Sequence, residues 1–332
     1  MRRVAIPSEN PMTHTLLPSG APASRQPEAR TRTASVRRAR GLVAVSALLA
    51  VWVGLGWMPG QMGALVAASL PWVCIPLGAV LFTGLIFARR ALVIPLAVVA
   101  LWLVAMAPAL PAPATSPSAA DTSFTVASQN VRAESDAVGD SATDLTGTGA
   151  DVIALVEMAA ASRGAAAAVL DPTHPHSYHV GTVSLWSVYP IVDAEPLDLG
   201  LGWKRALRAT MQTPGGDVRI YVVHAASLRP GEQSARDTML AALSDEMRAD
   251  DAERMIVLGD FNAASTDPAL ASLRDTADQV RPTDPSLGMT WPAAFPLVRI
   301  DHVFQRGMSV TSSTTLPAGA SDHLATLTTV EF

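Results

Sequence analysis

The rhythm of hydrophobic positions changes near residue 110. Before it lie three almost unbroken apolar runs, 41–58, 63–88 and 91–110. A helix crossing the hydrocarbon core of a bilayer needs roughly 20 apolar residues, so each run is long enough, the first only just. Pro71, Pro76 and Pro95 would break a water-soluble helix, but a membrane bundle tolerates them where neighbours satisfy the freed carbonyls. Trp52, Trp57, Trp72 and Trp102 suit the interfaces. A cleaved signal peptide would show one short apolar region near the start, and a soluble core would need polar faces on its helices. The pattern predicts three transmembrane helices, followed by a stiff proline-rich linker over 111–120, "PAPATSPSAA".

Beyond residue 120 short Val- and Ile-rich runs alternate with Ala-rich amphipathic stretches. Strands are predicted at 124–130, 151–157, 182–188, 205–213, 218–224, 255–260 and 298–304, with a last one after "SDH" (321–323). The "PGG" at 214–216 suits a hairpin turn. Helices are predicted over 158–170, over 232–248 from the spacing of Met239, Leu240, Leu243 and Met247, and near 267–274. Strands mixed with helices and a hairpin imply mixed sheets covered by helices, an α/β architecture.

Charge changes this picture by giving it a direction. Residues 1–40 carry eight arginines against Glu9 and Glu28, and Arg89-Arg90 separate the second and third apolar runs. The positive-inside rule puts both basic segments in the cytoplasm, as a tail over 1–40 and an internal turn. Three crossings then leave 121–332 as an extracytoplasmic domain of a multi-pass cell-membrane protein. That domain holds 27 acidic side chains against 14 basic ones. Cys74 is the only cysteine, which excludes an intrachain disulfide and a cysteine-based zinc site.

Candidate chemistry gathers where the strands end. Asn130, Glu157, His224 and Asp260 each close a predicted strand, Asp301 interrupts one, and Asp322-His323 opens the last. Buried ionisable groups are costly unless paired or bound to metal, so several at strand ends point to one crevice. Asp260 and Asn262 stand two positions apart in "GDFN", which on an extended segment aims both to one side and Phe261 into packing. The plainer alternative for that pair is an Asx turn.

The series "SQNVR", "DVIALVEM", "SLWSVYPI", "VVHAAS", "VLGDFNA", "GMTWP", "RIDHVF" and "SDHLA" resembles the endonuclease/exonuclease/phosphatase superfamily over nearly all of 121–332. The resemblance implies a four-layer α/β/β/α sandwich and divalent-cation-dependent phosphoester hydrolysis, with Mg2+ or Mn2+ as cofactor. It implies Glu157 as chief metal ligand, with Asn130 and Asp322 completing or supporting the site. It places Asp260 and Asn262 at the phosphate and attacking water, His224 on the phosphate, and His323 on water with Asp301 orienting it. The base role falls to Asp260 or His323, and His323 is favoured. Two departures stand out: Val156 where glutamine is common, and Val188 where arginine is frequent. His224 has no convincing acidic partner, Glu195 being a weak candidate.

The whole layout, three amino-terminal spans plus this domain, also resembles the VanJ-type teicoplanin-resistance membrane proteins of actinomycetes. That implies an outer-face hydrolase of a polyprenyl phosphate or lipid-linked cell-wall precursor, with membrane lipids as neighbours. The acidic domain argues against nucleic acid, since duplex binding leaves a basic footprint. A tethered nuclease would instead need a basic groove, for which Arg205, Arg208, Arg219 and Arg229 are the nearby candidates. A non-catalytic sensor of phosphate or antibiotic is the third reading, and the full set of acid–base residues argues against it. Nothing in the pattern fixes an oligomeric state.

Overall fold

The computed structural model describes residues 26–116, 123–133, 137–227, 229 and 233–332. The first 25 residues of the basic tail and 117–122 of the linker region lie outside these. Helix α1 (Gln26–Leu55) starts well before the first apolar run, and its apolar window is Val36–Leu55. The second run is not one straight helix. It divides into α2 (Gln61–Ser69), a 3₁₀ turn at Leu70–Val73 and α3 (Cys74–Phe87). Pro71 sits in that turn, where it removes a backbone donor and tightens the helix locally. Helix α4 (Val93–Met106) ends four residues short of the predicted third span. Among the described residues three stretches are thus long and apolar enough to cross a membrane. They pack through Val53, Val66, Leu70, Leu77, Val98 and Met106.

The part that follows the helices has two six-stranded mixed sheets. The first comprises β1 (Ser123–Asn130), β2 (Val152–Val156), β3 (His176–Val180), β4 (Val183–Ser187), β11 (Ser309–Leu316) and β12 (Ala325–Glu331), in the order β11-β12-β1-β2-β4-β3. The second comprises β5 (Ile191–Leu197), β6 (Ala206–Thr213), β7 (Gly216–His224), β8 (Met255–Asp260), β9 (Asp278–Gln279) and β10 (Asp301–Arg306), in the order β5-β6-β7-β8-β10-β9. Within each sheet one adjacent pair is parallel, β1–β2 and β7–β8. Helices α5 (Val138–Thr146) and α6 (Arg163–Leu170) cover the first sheet; α7 (Gln233–Ala249) and α8 (Ala271–Arg274) cover the second. This is the expected four-layer α/β/β/α sandwich.

The residue pattern dictates the layering. In β7, Val218, Ile220 and Val222 face the other sheet while Tyr221 and Val223 face α7, the two-residue alternation of a strand. In β2, Val152, Ala154 and Val156 point inward, and Ile153 and Leu155 pack under α5 and α6. Strands buried on both faces read as unbroken apolar runs. Helix α7 lays Met239, Leu240, Leu243 and Met247 on the second sheet, as its spacing predicts.

The linker does not stand away from the domain as a spacer. Ala112 N–H donates to Pro282 O at 2.9 Å, and Thr115 N–H to Val310 O at 2.9 Å. The helical segment also meets the domain directly, through Thr266 Oγ1 to Ala67 O and Trp72 Nε1 to Leu297 O, each at 3.0 Å.

At the end of the second sheet remote from the strand-end residues, Asp250 anchors β7. It accepts from Tyr221 Oη at 2.6 Å and Ala252 N–H at 2.9 Å, with Arg219 Nε at 3.0 Å. Burial alone would raise this carboxyl; the Tyr221 hydroxyl, the Ala252 amide and Arg219 outweigh it and hold it below its ordinary 3.8. A depressed carboxylate stabilises the fold above its unfolded-state value and loses that contribution as pH falls through the folded value. Asp250→Asn should therefore lower the thermal unfolding temperature at neutral pH, by the equivalent of about 1–3 kcal/mol. The deficit relative to wild type should narrow once the pH is taken below 3.8.

Candidate active site

Register brings the site together. His224 pairs with Asp260 across the parallel β7–β8 ladder, and Asp260 pairs with Asp301 across the antiparallel β8–β10 ladder. Three neighbouring strands of one sheet, two by their last residue and β10 by its first, therefore place ionisable residues at the same end. From the facing sheet, Asn130 ends β1 and Glu157 follows β2. Asn130 Nδ2 spans the gap, 2.7 Å from Glu157 Oε2 and 3.0 Å from Asp260 Oδ2.

The backbone at these strand ends is unusual. Arg132, Glu157 and Asn262 have φ of 55°, 58° and 48°, the left-handed region that side-chain-bearing residues seldom occupy. Such conformations persist where surrounding contacts over-determine them, typically at functional sites. Gly259 has φ 135°, and a Cβ there would lie 2.0 Å from Val223 O, so no other residue fits before Asp260.

"GDFN" is a turn rather than an extended segment. Asn262 N–H donates to Asp260 Oδ1 at 2.8 Å, closing an Asx turn, and Asn262 Nδ2 donates to Ala225 O at 3.1 Å and Asp260 Oδ2 at 3.2 Å. The plainer alternative is the one realised here, and it still sets both residues in the crevice. Phe261 is fully buried, as expected.

Beneath the turn lies a support the sequence reading did not single out. Arg236 is 1% exposed and donates from Nη1 to Asn262 O and Asp267 Oδ2, both at 2.9 Å. Its signal was its phase: 236, 240, 243 and 247 fall on one face of α7, so a charge occupies the buried stripe. Buried His302, next to Asp301, donates from Nε2 to Ala263 O at 2.9 Å. Burial and the nearby Arg299 guanidinium push its imidazole down to about 3, so it is a neutral strut and not a catalytic group.

Two groups of ligand-capable atoms arise among the described residues: Glu157, His224 and Asp260, and Asp260, Asp301 and His323. Asp260 belongs to both. Burial first, and then the Asp301 carboxylate, push the Asp260 carboxyl up to about 7, against the opposing pull of His323 and the Asn262 N–H. Burial lowers the His323 imidazole, but Asp301 at 2.9 Å, with Asp260 and Asp322 nearby, overcomes this and raises it to about 9. His224 is the opposite case. Burial, then the adjacent Arg205 guanidinium and His323, hold it well below its ordinary value, so it is neutral.

Each expected site residue can now be placed. Glu157, His224, Asp260, Asn262, Asp301 and His323 converge. Asn130 joins them through its amide nitrogen, while its Oδ1 accepts from Arg132 N–H at 2.9 Å, so it links carboxylates instead of turning an oxygen to a cation. Asp322 has no atom in either group; it influences His323 from beside it. Glu195 is not the partner of His224, because it pairs with Arg208. His224 instead has Arg205 Nη2 at 2.8 Å from Nδ1 and 2.6 Å from Nε2, Thr182 Oγ1 at 3.4 Å and Glu157 Oε2 at 3.6 Å. Arg205 stacks on Trp203, and Arg229 lines the crevice, whereas Arg208 and Arg219 are engaged by Glu195 and Asp250.

The donor set fits a divalent cation. Three carboxylates and a neutral histidine face a small volume, and buried Asp301 Oδ1 has no hydrogen-bond partner among the described residues. Clustered carboxylates of this kind call for positive charge, and oxygen-rich sets suit hard ions.

The chain belongs to the endonuclease/exonuclease/phosphatase family, which residues 127–323 match. A family protein from Bacteroides thetaiotaomicron shares the fold at TM-score 0.54 and 18% identity, over 64% of this chain and 98% of its own. A mannosyl-6-phosphatase from Bacteroides thetaiotaomicron VPI-5482 aligns at TM-score 0.53 and 17% identity, over 63% and 100% of the two chains. D. rerio TDP2, complexed with a single-strand DNA product, aligns at 0.52 and 15%, over 64% and 100%. Likeness at these identities establishes the fold alone. Comparison with curated proteins gives no match. Members of this family are usually metal-dependent hydrolases.

Cation binding can be read without activity. An ion that binds only the folded chain stabilises it, by about 2.7 kcal/mol at roughly 100-fold excess over Kd. Mg2+ should raise the thermal unfolding temperature of the wild type and should fail to do so for Glu157→Gln and Asp260→Asn. An equal shift in all three would remove these residues from the cation site.

Proposed function

We propose that the chain is a membrane-anchored, divalent-cation-dependent phosphoester hydrolase. Its proposed substrate is a polyprenyl phosphate or another lipid-linked cell-wall intermediate on the outer membrane face. The observation that carries the hydrolase reading is the ligand-capable group of Glu157, His224 and Asp260, beside the His323 imidazole that hydrogen-bonds Asp301 at 2.9 Å. The outer-face reading is supported by the bundle: Arg38 lies over the Phe87 ring at 4.9 Å, which brings the end of the basic tail to the same end of the bundle as Arg89-Arg90. The lipid reading is supported by the anchor and by the acidic catalytic domain. A contribution to teicoplanin-type resistance is supported by the resemblance of the three-span layout, and belongs to the same proposal.

In this reading Glu157 and Asp260 hold the cation with His224 beside them, and the ion, when bound, offsets phosphate charge and makes water more acidic. Hydrolysis forms one bond from water oxygen to phosphorus, breaks the bond to the leaving oxygen, and passes a proton to that oxygen. His323, kept as imidazolium by Asp301, is suited to donate that proton. Asp260, which accepts from Asn262 N–H and Asn130 Nδ2, is placed to orient the attacking water. This reading gives His323 the donor role, where the sequence favoured it as base. Arg229 and Arg205 offer positive charge along the crevice.

A group that must be protonated loses activity above its pKa, so kcat/KM should fall on the alkaline side near 9 in the wild type. Asp301→Asn removes the main cause of that elevation. Its alkaline limb should move towards 6.5, with kcat reduced about 10²–10⁴-fold. An unmoved limb would take the proton donor away from His323. Substrate class is tested by phosphate release from polyprenyl mono- and diphosphates against nicking of supercoiled DNA, with His224→Ala as blank. Nicking without lipid turnover would replace the lipid reading with a tethered nuclease.

A further inference from the structure

The catalytic crevice is walled on one side by the membrane segment. A cavity of about 450 Å³ begins among Asn130, Glu157, Asp260 and His323 and ends on Ala64, Leu65 and Ala68 of α2, facing Trp291, Val298 and Ile300. Its two ends differ in chemistry. One holds the phosphate-handling residues, and the other presents hydrocarbon. Leu65 is 51% exposed and Trp291 40%, so this apolar surface is open and not spent on packing. Phe295 and Leu297, on the same loop, are exposed as well.

The wall is fixed in place. Thr266 Oγ1 to Ala67 O and Trp72 Nε1 to Leu297 O attach the helical segment to the loops that follow Asn262 and precede Asp301. Depth along the bundle follows from Trp102, whose Nε1 donates to Leu70 O at 2.7 Å. Trp102 lies one turn before the end of α4, so α2, which precedes Leu70, reaches past that end towards the catalytic domain. Helix α2, the first part of the second apolar stretch, therefore lines the site while continuing into the helical bundle.

We propose that α2 and the 291–298 loop form a hydrocarbon-binding wall, so that the substrate enters sideways from the membrane with its chain over Leu65 and Trp291. This inference rests on the lipid-phosphate reading and adds to it the residues that select an amphiphile over a water-soluble phosphoester. Continuity with the catalytic crevice identifies the occupant. A chain attached to a phosphate seated at Asp260 has its apolar exit along this side. Each buried methylene favours the longer chain, so the preference is cumulative.

The test uses the full chain in lipid-bilayer discs with Mg2+. Mono- and diphosphates of farnesol are compared with those of dimethylallyl alcohol, and the readout is the ratio of their kcat/KM values. The wild type should prefer the farnesyl compounds, and Leu65→Ser should lower the ratio at least about tenfold. A farnesyl preference that Leu65→Ser retains in full would overturn the α2 wall and leave the lipid reading standing. A wild type that cleaves water-soluble phosphoesters and shows no farnesyl preference would overturn both. A diazirine-tailed farnesyl phosphate gives a readout that does not depend on the variant's folding or on turnover. Irradiated with the wild type, it should label 61–69 and 291–298, and adducts confined elsewhere would overturn the proposal.

Discussion

Two carboxylates placed opposite each other in a buried strand pair set the terms for everything around them. Asp260 and Asp301 are register partners at the edge of the second sheet, each 1% exposed. Like charges so placed repel strongly in a low-dielectric setting. The neighbours answer that charge. Asn130 and Asn262 direct N–H groups at Asp260, and His323 carries its proton against Asp301. The strained turns at Glu157 and Asn262, the close-fitting Gly259 and the buried Arg236 all hold those neighbours in position. The arrangement favours an ion at the site because the chain alone leaves Asp260 incompletely compensated.

Much of the fold was legible because its central strands are buried on both faces. β2, β7 and β8 read as apolar runs, and each meets its site residue at the run's end. What escaped lies at margins. β3, β5 and β11 run along or near sheet edges with mixed sequences such as "HSYHV", "IVDAEPL" and "SVTSSTTL". β5 even contains Pro196, which an edge tolerates. Helix α5, "VGDSATDLT", is short and mostly polar, and shows its amphipathic face only once Val138, Ala142 and Leu145 are seen under it.

The site divides along the same line. Identity and order of residues disclosed Glu157, His224, Asp260, Asn262, Asp301 and His323. Side-chain direction stayed hidden, because it is set by contacts distant in sequence. Asn130 turns its nitrogen inward since Arg132 N–H claims its oxygen. Asp322 stands outside the ligand groups although it adjoins His323. The balance of charge between Asp260 and His323 likewise depends on Asp301, which arrives from another strand.

The attachments between the helices and the sandwich domain have a mechanical consequence. Ala67, Trp72 and Ala112 each hold the domain by a hydrogen bond, from points within the bundle's sequence and just after it. A body secured at several points has no arm's length. These contacts hold the crevice beside its own helices. A ligand of the crevice must therefore meet it at that spot, in the layer of molecules immediately beside the bundle.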